Sequence, residues 1–197
     1  MLKLSPRLQC IADYICPGDR VIDVGTDHAY IPIYLLQNGI ARLVTATDIR
    51  SGPLENAAAD ARKYQVAEGL TLLLCDGLSA CTPEMADTVI LAGMGGETIQ
   101  HILAAAPWAL EKRLLLQPQS KQAELRAWLA ARGLSPARIS VPAGRSWMAT
   151  TTLSSSEIFT VKRSFAIIDF SCQCPLMPQN TYNTPCKSAV CVLRKRR

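Results

Sequence analysis

Residues 20–36 read RVIDVGTDHAYIPIYLL, an apolar run that closes on Asp23 and Gly25 and passes at once to Thr26, Asp27, His28 and Tyr30. A carboxylate, an imidazole and a phenol held this closely can accept hydrogen bonds, move a proton and stack on a planar ring. Three further groups stand at the ends of similar apolar runs: Asp48-Ile49 after LVTAT, Asp76-Gly77 after LTLLLC, and Ala92-Gly93-Met94 within ILAGMGG. Each has a structural alternative. Asp23 and Asp48 could cap the helices that follow them, Tyr30 could pack under the first of these helices, and Met94 could simply wall a pocket. His28 could be a satisfied structural group, and His101, among apolar neighbours on a helical stretch, reads as surface or core.

The kind of ligand follows from charge. Asp48 lies 23 residues past Gly25, about where a dinucleotide-binding fold places the acid that accepts ribose hydroxyls. A nicotinamide or flavin cofactor would bring a pyrophosphate, which needs close backbone N–H groups and no anion beside it, so Asp27 in the first turn argues against one. S-adenosylmethionine has ribose and adenine without phosphate, and its sulfonium and amino groups are positive. Carboxylates at Asp23 and Asp27 would favour it, and Asp76 could accept from the adenine amino group.

The elements that must position these groups alternate regularly. Ser5-Pro6 reads as an N-cap and first helical residue, and Leu8, Ile11, Ala12 and Ile15 recur at helical spacing until Pro17-Gly18. RVIDVG, LVTATDI, LTLLLCDG, DTVILAGMGG and RLLLQP read as strands. Helices fall between them, at about Ile31–Gln37, in PLENAAADARKY and in TIQHILAAA, and KQAELRAWLAARG follows the last strand. Such alternation implies right-handed βαβ units, a doubly wound and mostly parallel sheet, and a ligand beyond the carboxyl ends of its strands.

Composition fits one α/β domain with an appendage: 49% of residues are apolar, and the formal charge of +5 permits an RNA partner without demanding one. No window approaches the length of a membrane span, and MLKLSPRLQC lacks a signal-peptide core, so a cytoplasmic location is expected. Cys10, Cys16, Cys75 and Cys81 are scattered through ordinary core elements. Cys172, Cys174, Cys186 and Cys191 crowd the last stretch, with spacing too irregular for a zinc site, and no metal is expected. The closing RKRR could touch RNA phosphates, though a basic tail is most often solvated.

In this order and spacing, DVGTDHAYIPIYL, ATDIRSGPLENA, CDGL, ILAGMGGETI and LLLQP resemble the bacterial tRNA adenine-N1 methyltransferase family that modifies nucleotide 22. The first and fourth motifs are specific, and the match runs over about residues 2–133. The resemblance implies a Rossmann-like class I methyltransferase domain that uses S-adenosylmethionine, with tRNA as partner and a small helical C-terminal domain that helps to hold it. It implies cofactor contacts from Asp23, Gly25, Thr26, Asp48, Ile49, Asp76, Gly77, Ala92, Gly93 and Met94. The substrate adenine would lie near Asp27, His28, Tyr30 and the Gly93–Gly95 turn. N1 of an unpaired adenine carries an outward lone pair, so transfer needs in-line placement more than proton abstraction. The product ring is cationic, and Asp27 is the first candidate to stabilise that charge. Tyr30 could stack on the base, and His28 could orient a carboxylate or contact a phosphate.

After Gly133 the family pattern fails, where two antiparallel strands around a turn are expected. Trp147-Met148-Ala149 must be encoded so that the frame starting at the last base of the tryptophan codon reads Asp-Gly, whatever codons are used. The threonines and serines that follow can then supply a strand, which the actual WMATTTLSSS does not. The division expected is therefore a methyltransferase domain over residues 1–146 and a non-family tail over 147–197, out of frame or disordered, with the sheet incomplete at its C-terminal edge. Two alternatives to tRNA methylation accompany this: an inactive cofactor- or RNA-binding remnant, and a methyltransferase for a small molecule.

Overall fold

The computed structural model describes residues 1–140 and 190–195. Five parallel strands form its centre: β1 (Arg20–Val24), β2 (Leu43–Asp48), β3 (Leu70–Leu74), β4 (Thr88–Met94) and β5 (Arg113–Pro118). Between and around them run α1 (Pro6–Ala12), α2 (Tyr30–Gln37), α3 (Ser51–Lys63), α4 (Gly96–Ala105) and α5 (Gln122–Ala130). Two more strands, β6 (Leu134–Ser140) and β7 (Val190–Lys195), complete a seven-stranded sheet in the order β3-β2-β1-β4-β5-β7-β6.

The central strands read as near-continuous apolar runs because helices cover both faces. Alternate residues serve opposite sides. Ile22, Val24, Val89, Leu91, Leu114 and Leu116 pack with Ile99 and Leu103 of α4 and with Leu125 and Leu129 of α5. Val21, Val44, Ile90 and Leu115 face the other way, onto Ile11 of α1 and Ile31 and Leu35 of α2. Ile33 of α2 also meets Ala57 of α3.

The expected alternation of strands and helices holds through α5. The expected gap at the C-terminal edge does not appear: β7 pairs antiparallel with β5 on one side and β6 on the other. The outer side of β5 offers unpaired N–H and C=O groups, which an apolar, β-branched run such as Val190-Cys191-Val192-Leu193 can occupy. Residues 141–189, which hold the stretch suspected of a shifted frame together with Cys172, Cys174 and Cys186, lie outside the described residues, as does the end of RKRR.

The order reverses between β1 and β4, because β1 leads outward to β2 and β3 while β4 leads to β5. The four groups of chemically competent residues therefore share the carboxyl edge of the sheet, on either side of this switch point. Neighbouring strands lie about 4.8 Å apart, so the row from β3 to β4 spans about 14 Å, enough for a nucleoside-sized ligand.

Candidate active site

The turn after β1 is anchored from β2. The carbonyl of Thr47 accepts from the N–H groups of both Gly25, at 2.8 Å, and Thr26, at 3.1 Å. This holds Gly25 at φ 71°, where a side chain would be strained, and a Cβ there would stand 3.2 Å from Cε of Met94. Asp23 lies beneath the turn, 6% exposed, with the Thr26 hydroxyl donating to its Oδ2 at 2.7 Å. Burial pushes its carboxyl up to about 6, against the opposing pull of that hydroxyl.

Asp48, at the end of β2, is 7% exposed, and its Oδ1 accepts from the backbone N–H of Arg50 at 3.0 Å. It therefore shapes the turn before α3 without capping that helix, whose N-cap residue is Arg50 and has no side-chain cap bond, while Oδ2 keeps no partner among the described residues. Ile49, beside it, is 65% exposed, a large apolar side chain bordering the cleft. Asp76 is exposed after β3. The carbonyl of Gly77 accepts from the Thr47 hydroxyl at 3.0 Å, and a Cβ on Gly77 would meet Ile102 at 2.9 Å. Thr47 thus ties the turns after β1 and β3 together.

In the same turn after β1, Asp27 is exposed, and both it and Ala29 take left-handed backbone, at φ 52° and 53°. His28 between them stacks on Tyr30 with ring centroids 5.2 Å apart and an interplanar angle of 10°. Its Nδ1 stands 3.6 Å from Oδ2 of Asp60 on α3. Tyr30 is 39% exposed and does not pack under α2, so its ring and that of His28 form a small aromatic platform beside the Asp27 carboxylate. His101 lies exposed on α4, away from this cluster.

The β4 end departs from regular pairing between Ala92 and Met94, with Gly93 at φ 80°. Its freed N–H donates to Oε1 of Gln117 at 3.1 Å. The turn is locked to its neighbour: Gln119 N–H donates to the Met94 carbonyl at 2.9 Å and Gly96 N–H to the Ser120 carbonyl at 2.9 Å. Gly96 can be nothing larger, because a Cβ would stand 2.5 Å from the Lys121 carbonyl oxygen.

All thirteen residues singled out from the sequence thus fall at the carboxyl ends of β1 to β4 or in the turns that follow them: Asp23, Gly25, Thr26, Asp27, His28 and Tyr30 after β1, Asp48 and Ile49 after β2, Asp76 and Gly77 after β3, and Ala92, Gly93 and Met94 at the end of β4. Sequence reasoning missed Thr47, Asp60, Arg7 and Gln117. Only Gln117 carried a visible signal, a lone polar residue closing the apolar run LLLQP.

A Bacillus subtilis protein described as a tRNA (adenine(22)-N(1))-methyltransferase is 39% identical over 130 residues, 65% of this chain and 55% of the relative. The chain thus spans little more than half the length of that curated relative. The solved structure of the B. subtilis M1A22 tRNA methyltransferase superposes with a TM-score of 0.72 at 28% identity, over 100% of this chain and 68% of that one. An M. capricolum structure in complex with S-adenosyl-homocysteine shares the fold, with a TM-score of 0.69 at 22% identity over 98% of this chain and 70% of that one. The family described as a methyltransferase domain matches residues 4–137, two thirds of the chain, with the five parallel strands and the turns after them inside the match, and the chain belongs to that family.

Proposed function

We propose that this protein transfers a methyl group from S-adenosylmethionine to N1 of an adenine in tRNA, at position 22. The observation that carries the reading is Asp23: a buried carboxylate at the head of the cleft, held by a single hydroxyl and held well above its ordinary range. Such a site is completed by a cation, and the amino and sulfonium groups of S-adenosylmethionine are cations. The residues present fit that cofactor. Asp23 and the Gly25 turn would receive its amino-acid end, Asp48 its ribose hydroxyls, and Ile49 and Asp76 its adenine. When bound, it supplies an electrophilic methyl group. The fold neighbour solved with S-adenosyl-homocysteine supports the same assignment.

On the substrate side, Asp27 is an exposed carboxylate in the turn after β1, able to accept from the exocyclic amine of adenine and to stabilise the charge that develops on the ring. The His28–Tyr30 platform offers a stacking surface for a base taken out of its helix, worth about 1–3 kcal/mol per base. Asp60 of α3 stands 3.6 Å from Nδ1 of that His28 ring. The similarity to the B. subtilis tRNA methyltransferase supports tRNA as the substrate.

The test uses the full chain with unmodified bulk tRNA and labelled cofactor, followed by digestion and identification of the nucleoside. 1-Methyladenosine is the expected product. Asp27→Ala loses methylation and keeps cofactor affinity, whereas Asp48→Ala loses both. Cofactor binding without any tRNA product would instead favour the inactive remnant, and normal methylation by Asp27→Ala would remove the role given to that carboxylate.

A further inference from the structure

Gln117 closes β5 beside the substrate turn, 5% exposed, with its carbonyl oxygen taken by two donors. Gly93 N–H reaches it at 3.1 Å and Nη1 of Arg7, from α1, also at 3.1 Å. Two N–H groups on one side of an amide determine which atom faces them: it must be the oxygen, so the NH₂ is turned the other way. Among the described residues that NH₂ has no protein partner, and no enclosed side-chain nitrogen or oxygen is left without one. The Nε2 donor therefore reaches solvent, at the carboxyl edge of the sheet, next to the Gly93 bulge. A side chain nineteen-twentieths buried is here fixed so that its one free polar group is a donor at the mouth of the substrate subsite.

We propose that Gln117 orients the target base by donating a hydrogen bond to a ring nitrogen of the purine other than N1, and that Arg7 is the positioning residue that fixes the amide for this task. The inference rests on the adenine reading above. An adenine offers acceptors at N3 and N7 and a donor at its exocyclic amine, so a fixed donor and the Asp27 carboxylate together define one pose of the ring. The bulge at Gly93 serves the same device, since it takes that N–H out of the β4–β5 ladder and gives it to Gln117.

The test measures methylation of tRNA carrying adenosine, 7-deazaadenosine or 3-deazaadenosine at the target position, with calorimetry of S-adenosylmethionine alongside. Gln117→Glu keeps an acceptor for Arg7 and Gly93 but removes the donor, and so separates recognition from folding; Gln117→Leu removes both. Both variants are expected to lose about tenfold in kcat/KM while binding the cofactor within twofold of wild type. One of the two deaza substrates should cost wild type the same tenfold and cost Gln117→Glu nothing further. Arg7→Ala should lose about threefold and partly blunt that discrimination. Unchanged kcat/KM in Gln117→Glu, or losses that multiply on both analogues, overturns the inference alone. A wild-type chain that binds cofactor and methylates no tRNA overturns the adenine reading and this inference with it.

Discussion

Asp23 gives the sharpest quantitative prediction, because its burial acts on the empty and the loaded protein with opposite sign. Its carboxyl stands at about 6 against an ordinary 3.8. A gap of roughly two pH units corresponds to about 3 kcal/mol of preference for the neutral form in the folded protein. Between pH 4 and 6 the folded chain holds this proton and the unfolded chain has lost it, so unfolding releases it and stability falls as pH rises through that window. Above pH 6 the cost is constant at about 3 kcal/mol, which is a large share of a typical domain's stability. A bound cation reverses the balance, since it interacts with the ionised form. At pH 5 only about a tenth of the carboxyl is ionised, so S-adenosylmethionine should bind about tenfold more weakly than at pH 7.5.

Asp23→Asn removes the charge and keeps an acceptor for the Thr26 hydroxyl, at the risk of an unpartnered amide that costs about 1–3 kcal/mol. The expected outcome is an unliganded protein at pH 7.5 whose melting temperature is equal to or a few degrees above wild type, with cofactor affinity lost. Melts of both proteins from pH 4 to 8 isolate the residue, because other carboxylates are common to the two. Asp87, which the Arg20 guanidinium holds down at about 2, titrates below this range. Parallel stability profiles between pH 4 and 6, or equal wild-type affinity at pH 5 and 7.5, would refute the reasoning.

Gly96→Ala must push a methyl into the Lys121 and Ser120 carbonyls, at 2.5 and 2.8 Å, and should cost about 1–3 kcal/mol in thermal or urea melts, while Gly95→Ala meets the Ser120 hydroxyl at 3.1 Å and the Thr98 hydroxyl at 3.8 Å and should be milder. Asp87→Asn breaks the 2.7 Å pair with Arg20, but both side chains are more than a third exposed and lie at the opposite end of β1 from the cleft. The change should cost less than about 1 kcal/mol and leave methylation at the wild-type rate. Sequencing the coding DNA from Leu134 to Trp147 should reveal a shift of frame; an unbroken frame whose codons are incompatible with a strand in the alternative reading would remove that proposal.

What the sequence disclosed and what it hid divide along the distance between interacting residues. The five parallel strands were legible because each is a self-contained apolar run, buried on both faces and ended by a turn residue. The carboxylates at their ends were legible for the same reason, since a βαβ chain brings every such end to one edge. The pairing of Leu134–Ser140 with Val190–Lys195 was not, because neither segment announces its partner across the residues between them. The Arg7–Gln117 contact joins residues 110 positions apart, and nothing in the sequence of α1 points its arginine to β5. Asp60 was hidden by the alanine-rich helix around it, where an acid reads as a solvated face.

The turn after β1 is where local preference and function disagree most plainly. Asp27 and Ala29 both take left-handed backbone, which costs a residue with a Cβ about 1–2 kcal/mol and glycine almost nothing. Asp tolerates that region better than alanine does, but glycine at 27 would still be the choice if the turn had only to bend. The strain is offset by fixed contacts: the Thr47 carbonyl holding Gly25 and Thr26, the Ala29 N–H donating to the Thr26 carbonyl at 3.0 Å, and Ala29 wholly buried against Ile33 and Ala57. A rigid turn that presents a carboxylate where a bend alone would favour glycine is preorganised for charge, so that Asp27 need not reorient when the adenine ring becomes cationic.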